Sequence, residues 1–148
     1  MGVTITGASR IQKKLAKTSR QIKVSPKKLI KTVSEARNRM RDRTNKGLNA
    51  SGSSFKRLNP AYAEYKKGKG KRGIPDLHFE GHMLNAMQVK GIRGGAEIYF
   101  NNETERLKAY RHHYGRGHSP KRSFFRLGSK LEKYIFDEFR KPIKKALR

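Results

Sequence analysis

Apolar positions along the chain change period repeatedly, and each change predicts an element. After a β-like opening, VTIT, residues Ile11, Leu15, Thr18 and Ile22 recur at helical spacing while Lys13, Lys14, Lys17 and Arg20 occupy the other faces. A first amphipathic helix is predicted there. The next starts on a better signal: Ser25 suits the cap, Pro26 suits the first helical position, and Leu29, Val33, Ala36 and Met40 line one face. Gly47 ends it, and Arg37, Arg39, Arg41 and Arg43 surround its narrow stripe. Residues 47–58, GLNASGSSFKRL, have loop composition and close on an apolar anchor, Phe55 and Leu58. PAYAEYKK predicts a short helix, and KKGKGKRG, from Lys66 to Gly73, predicts a flexible, self-repelling loop.

The period then switches. HMLNAM after Gly81 reads as a helical turn or two, leading into strict alternation: Met87 and Val89 against Gln88 and Lys90, then Ala96, Ile98 and Phe100 against Glu97 and Tyr99. With Arg93 to Gly95 as the turn, this is a hairpin. Asn102 or Thr104 starts a short helix through Tyr110, and YRHHYGRGHSPKRSFFRLG follows as two turns. A terminal helix from Ser129 carries Leu131, Ile135, Phe139, Ile143 and Leu147 at intervals of four, with a kink expected near Pro142. The expected fold is α+β, a small antiparallel sheet packed against long amphipathic helices in one domain. Within 1–148 it comprises a basic helical part (1–46), a loop-rich basic segment (47–80) and a hairpin, turn and C-terminal helix (81–148).

Charge changes what such a domain is expected to meet. The 148 residues hold 37 Lys and Arg against 11 Asp and Glu, a net charge of +26. An excess of that size is self-repelling and is relieved by a polyanion or an acidic partner. It is also uneven, since residues 1–75 contain 21 of the bases and only 3 of the acids. Without cysteine there is no disulfide framework and no thiolate metal site. No apolar run approaches a membrane span, and the opening MGVTITGASR lacks the apolar centre of a signal peptide. A non-secreted protein without a membrane partner is the expectation.

Four chemistries compete for the histidines and bases. His78 and His82, four apart beside Asp76 and Glu80, have helical metal-ligand spacing, but Pro75 and Gly81 break the helix they need. His112 and His113 diverge in any regular backbone and have no carboxylate in their loop, so no nuclease centre is assembled. KKGKGKRG lacks the spacing and terminal Ser or Thr of a phosphate-binding loop. Nucleic-acid binding is the alternative with more support, because bases interleave with Tyr62, Tyr65, Tyr110, Tyr114, Phe124 and Phe125. No helix-turn-helix, zinc-finger or RNA-recognition motif accompanies them.

Read in order, GSSFKRLNPAYAEYKKGKG, PDLHFEGHMLNAM, the hairpin, YRHHYGRG and KRSFFRLG resemble the tailed-phage virion-morphogenesis family, the tail-completion or head–tail joining proteins. Phe55 and Leu58, Tyr62 and Lys66, Leu77, Gly81 and Leu84, His113, Tyr114 and Gly115, then Arg122, Phe124, Phe125 and Gly128 occupy the family's motif positions. Glu80, Tyr114 and Ser123 stand where the family has threonine, phenylalanine and proline. The resemblance covers roughly residues 52–147 and implies a non-enzymatic ring protein at the virion neck, without catalytic residues, cofactor or metal. A hexameric homo-oligomer is implied, assembled in the host cytoplasm and meeting portal-side connector proteins, the tail tube and packaged DNA. Phe55, Leu58, Tyr62, Tyr65, Tyr114, Phe124 and Phe125 are then assembly or packing anchors. Lys13, Lys14, Lys17, Arg39, Arg43, Lys66, Lys67, Lys69, Lys71 and Arg72 are the candidate contacts to DNA or an acidic partner.

Overall fold

The computed structural model describes residues 25–93 and 95–147. The VTIT opening, the first predicted helix and Lys13, Lys14 and Lys17 lie outside them. Helix α1, Pro26–Asn45, begins as its sequence dictates: the Ser25 hydroxyl oxygen accepts from the Lys28 N–H at 3.2 Å, with Pro26 in the first turn. Its buried face is Thr32, Ala36, Met40 and Thr44, a strict interval of four in which Leu29 and Val33 are only half-buried flanks. Threonines belong to the stripe because Thr44 Oγ1 donates to Met40 O at 2.7 Å, which satisfies the buried hydroxyl within its own helix. Gly47, buried with φ +75°, turns the chain away as expected.

Strands β1, Met87–Ile92, and β2, Gly95–Phe100, form the predicted antiparallel hairpin, with Met87 opposite Phe100 and Ile92 opposite Gly95. A two-stranded ribbon is marginal by itself. Here α1 lies across both strands, and the absence of a side chain beyond Cβ at Ala36, fully buried, allows close approach. Three shorter helices complete the described elements before the last: α2, Pro60–Gly68; α3, His82–Asn85, which packs on β1; and α4, Glu103–Tyr114, which packs on β2. Asn59 caps α2 by accepting from Ala61 N–H at 2.9 Å, and Asn102 caps α4 by accepting from Glu105 N–H at 3.1 Å. Helix α4 continues a full turn past Tyr110, so His112 and His113 end the helix and are not part of the bend. Gly115, at φ +70°, is the left-handed residue that closes it; a Cβ there would lie 2.9 Å from the Lys121 backbone nitrogen.

The terminal helix α5, Ser129–Leu147, packs on α1 and includes Pro142 within its length. One core joins α1, α3, α4, α5 and the sheet: Ala36 and Met40 from α1, Phe55, Met83 and Leu84, Met87, Ala109, Phe124 and Leu131; helix α2 adds no residue to it. Helices dominate and the sheet is the single hairpin among the described residues, so the fold is the small α+β domain expected. No helix among the described residues is long and apolar enough to cross a membrane.

Lys66 to Gly73 departs from the flexible loop predicted. Helix α2 extends through Lys66 and Lys67 to Gly68, and the turn after it is tied down at both ends. Lys66 Nζ is buried against Asp76 and also donates to Ile74 O at 2.9 Å, while Arg72 donates to Asp76 at 3.2 Å and to Asn45 O. The repulsion read from composition is offset by a carboxylate ten residues downstream. Asp76 also accepts from the His78 N–H at 3.1 Å, which holds the intervening Leu77 at φ +54°, a left-handed conformation costing a branched side chain about 1–2 kcal/mol.

Candidate functional site

The segment from Tyr110 to Gly128 brings together most of the chemistry of the chain. Phe124 is wholly buried and lies edge-on to His113, with ring centroids 6.1 Å apart. Phe125 is half-buried and tilts against Phe100 of β2 at 5.2 Å. Arg43, at the C-terminal end of α1, fixes this turn: Nη1 donates to Leu127 O at 2.6 Å, and Nη2 donates to Phe124 O at 2.8 Å and to Arg126 O. Gly128, at φ +73°, passes so close to the loop after α1 that a Cβ would sit 2.0 Å from Ala50 O.

Two candidate contacts are therefore corrected. Arg43 is spent on three backbone carbonyls and Lys66 on a buried carboxylate, so neither faces a partner. Both were assigned from charge, which does not distinguish a cation that folds the chain from one that meets a ligand. Arg39 keeps an exposed guanidinium, paired to Glu35 at 3.0 Å and stacked 3.8 Å above the Tyr134 ring. Lys67, Lys69, Lys71 and Arg72 remain on the surface, with Lys67 held loosely by Glu64.

Among the aromatic anchors, Phe55 and Phe124 are core residues and Leu58 is half-buried. Tyr62, Tyr65 and Tyr114 are 45%, 53% and 54% exposed, so any anchoring by them is to something outside this chain. Tyr62, Tyr65 and Phe79 form a stacked row with centroids 6.1 Å apart. On the opposite side of α4, Tyr110 and Tyr114 pair at 4.8 Å beside Leu107. With Ile98, Phe100 and Phe125 they line an apolar groove of about 500 Å³ between β2 and α4. Leu107 was not anticipated as exposed, although its place one turn before Tyr110 and two before Tyr114 is a helical face.

The histidines do not form a metal centre: no cluster of three or more His, Asp and Glu occurs among the described residues. His78 reaches Asn45 and His82 reaches Glu80, on divergent paths. His113 Nδ1 accepts from the Phe125 N–H at 3.2 Å, a structural use requiring the neutral ring. Burial, then Arg126 and Lys121, lowers its pKa. His112 is lowered by burial and then by Arg122, whose own pKa is lowered by burial.

A cavity of about 190 Å³ beside His112 is also lined by Glu105, Lys108 and Arg122. Glu105 Oε1 pairs with Lys108 at 2.8 Å, whereas Oε2 has no hydrogen-bond partner among the described residues. This grouping was missed because Glu105 lies two helical turns before His112 and Arg122 returns to it only after the Gly115 bend. Compared with known protein families, curated proteins and solved structures, the chain finds no match.

Proposed function

We propose that the chain is a structural virion protein of a tailed bacteriophage, a tail-completion protein at the neck that joins the tail to the DNA-filled head. It acts without catalysis, cofactor or metal, as a homo-oligomeric ring, hexameric by the family resemblance, between portal-side connector and tail-tube proteins. The ordered motifs from Phe55 to Gly128 support the family reading. An assembly role rests on the apolar groove between β2 and α4, where Leu107, Tyr110 and Tyr114 stay 45%, 49% and 54% exposed. A second copy of the chain, repeated head to tail, buries such a surface and closes a ring.

Size-exclusion chromatography with light scattering tests this directly. The purified chain is expected to form a ring, alone or on tails, and Leu107→Glu with Tyr110→Glu is expected to leave folded monomers. A wild-type chain that stays monomeric at every concentration and on tails overturns the assembly role. The alternative is non-sequence-specific nucleic-acid binding, favoured by the exposed Lys67, Lys69 and Lys71. A monomer that binds duplex DNA with steep salt dependence, weakened when those lysines are neutralised, would establish that reading instead.

A further inference from the structure

Arg122 is only 6% exposed, yet it meets an open cleft of about 710 Å³ between residues 56–62 and the loop at 117–122. Its N–H donates to His112 O at 2.7 Å, which seats the residue against the last turn of α4. Among the described residues, its Nε and the Nδ1 of His112 are buried without hydrogen-bond partners. A guanidinium nitrogen taken out of water without an acceptor is unfavourable, and an anion arriving from the cleft would offset that cost.

The side-chain carboxylates of the chain lie elsewhere or are engaged by other bases; Glu105 gives Oε1 to Lys108, and its unpartnered Oε2 belongs to the neighbouring cavity, makes no hydrogen bond to Arg122 and does not line this cleft. All 11 lie between Glu35 and Glu138, so residues 1–24 have none to offer. Asp42 and Glu132 aside, each meets a basic nitrogen belonging to a residue other than Arg122. Neither Asp42 nor Glu132 lines the cleft, and neither does any other acidic residue. Lys56, Arg57 and His118 are exposed on its walls, and Tyr62 and His112 lie alongside Arg122. Donors thus converge from separate segments of chain. A tetrahedral oxyanion accepts from several directions at once, whereas a carboxylate accepts mainly in its own plane.

We propose that this cleft binds a phosphate group, with Arg122 as the buried fork and Lys56, Arg57 and His118 at the rim. The group belongs either to a nucleic-acid backbone or to free phosphate. The site is complete within one chain and does not depend on the ring.

Thermal unfolding of the full chain with and without inorganic phosphate, together with calorimetric titration, tests it. Phosphate is expected to raise the midpoint of the wild type. Arg122→Met is expected to abolish that gain, weaken phosphate binding at least about tenfold, and leave the phosphate-free midpoint unchanged or higher. Lys56→Gln with Arg57→Gln, on the exposed rim, is expected to weaken binding without moving the phosphate-free midpoint. An undiminished phosphate response in either variant overturns the site, as does an Arg122→Met chain less stable in phosphate-free buffer.

A short oligonucleotide separates the sources. If Arg122→Met weakens oligonucleotide binding by more than Lys130→Gln, an exposed charge outside the cleft, the phosphate is a backbone phosphodiester. Equal losses with phosphate binding still dependent on Arg122 assign free phosphate. Polyglutamate that stabilises the wild type through Arg122 while phosphate does not would replace the proposal with an acidic-protein site.

Discussion

Lys66→Met is expected to destabilise the domain far more than substitution of any neighbouring lysine. The Lys66 and Asp76 side chains are each only 4% exposed and form an ion pair, and Lys66 Nζ also satisfies Ile74 O. Removing the ammonium leaves a buried carboxylate with the His78 N–H and Arg72, whose side chain is 58% exposed, and leaves the Ile74 carbonyl with the Asp76 N–H alone. Breaking one side of a buried pair costs about 3–5 kcal/mol, and the remaining Arg72 contact argues for the lower end. The Lys67–Glu64 pair is 58% and 72% exposed, so Lys67→Met is expected to cost at most about 1 kcal/mol. Urea unfolding followed by circular dichroism separates the two. With a slope of about 1.5–2 kcal/mol per molar urea, a loss of about 3 kcal/mol lowers the midpoint by about 1.5–2 M. Adding Asp76→Leu should recover most of that, because a buried pair replaced by apolar side chains is often nearly neutral. A Lys66→Met midpoint matching that of Lys67→Met would refute the reasoning and return Lys66 to the surface.

Phe124→Ala, which empties a wholly buried site, is expected to cost about 3–5 kcal/mol in the same assay, and Phe125→Ala, at a half-buried site, clearly less. Equal losses would contradict the division of the pair between core and rim. Gly128→Ala should prevent stable folding, since its Cβ meets Ala50 O at 2.0 Å, whereas Gly117→Ala, with open space at φ +65°, should cost only about 1–2 kcal/mol. Comparable thermal midpoints for those two variants would count against the close approach of the loop after α1. His112 and His113 both have pKa values lowered from 6.5 in the folded chain. The unfolded state therefore binds more protons as pH falls through that value, so their contribution is fully present above it and is lost progressively below it. Urea midpoints are expected to fall from about pH 7.5 to about pH 5.5, less steeply in His112→Gln, and a flat wild-type profile would exclude the effect.

Where local signals coincide, the chain was readable from its residues. Ser25 and Pro26 set the start of α1, and the alternation from Met87 to Phe100 set the hairpin, although Gly95, read as part of the turn, already pairs with Ile92 as the first residue of β2. These elements are specified by contacts within a few residues. Other features depend on returns of the chain that no local pattern carries. Asp76 converts a lysine-rich loop into an anchored turn, and the Gly115 bend delivers Arg122 to His112. The threonines of α1 read as polar until the Thr44 hydroxyl finds a helical carbonyl. The site was therefore legible as a segment, Tyr110 to Gly128, but not as a constellation that includes Glu105 and the rim at Lys56 and Arg57.

The same returns divide a large positive charge into cations with different work. Arg43 and Lys66 hold the fold together, and Arg39 is placed between a carboxylate and a ring. Lys56, Arg57, Lys69 and Lys71 are exposed and meet no carboxylate among the described residues. This second group adds self-repulsion without a compensating carboxylate, and with Arg122 it gains when an anion arrives. Salt should therefore act on the two groups in opposite measure. Exposed, unpaired cations are screened within about 10 Å at about 0.1 M salt, whereas the buried Lys66–Asp76 pair is screened little. Moderate salt should then leave the domain as stable as before or more so, even as it weakens attachment to DNA or an acidic partner. The pairing of those two responses, and not the net charge, is what distinguishes a protein built to receive an anion from one merely rich in surface lysine.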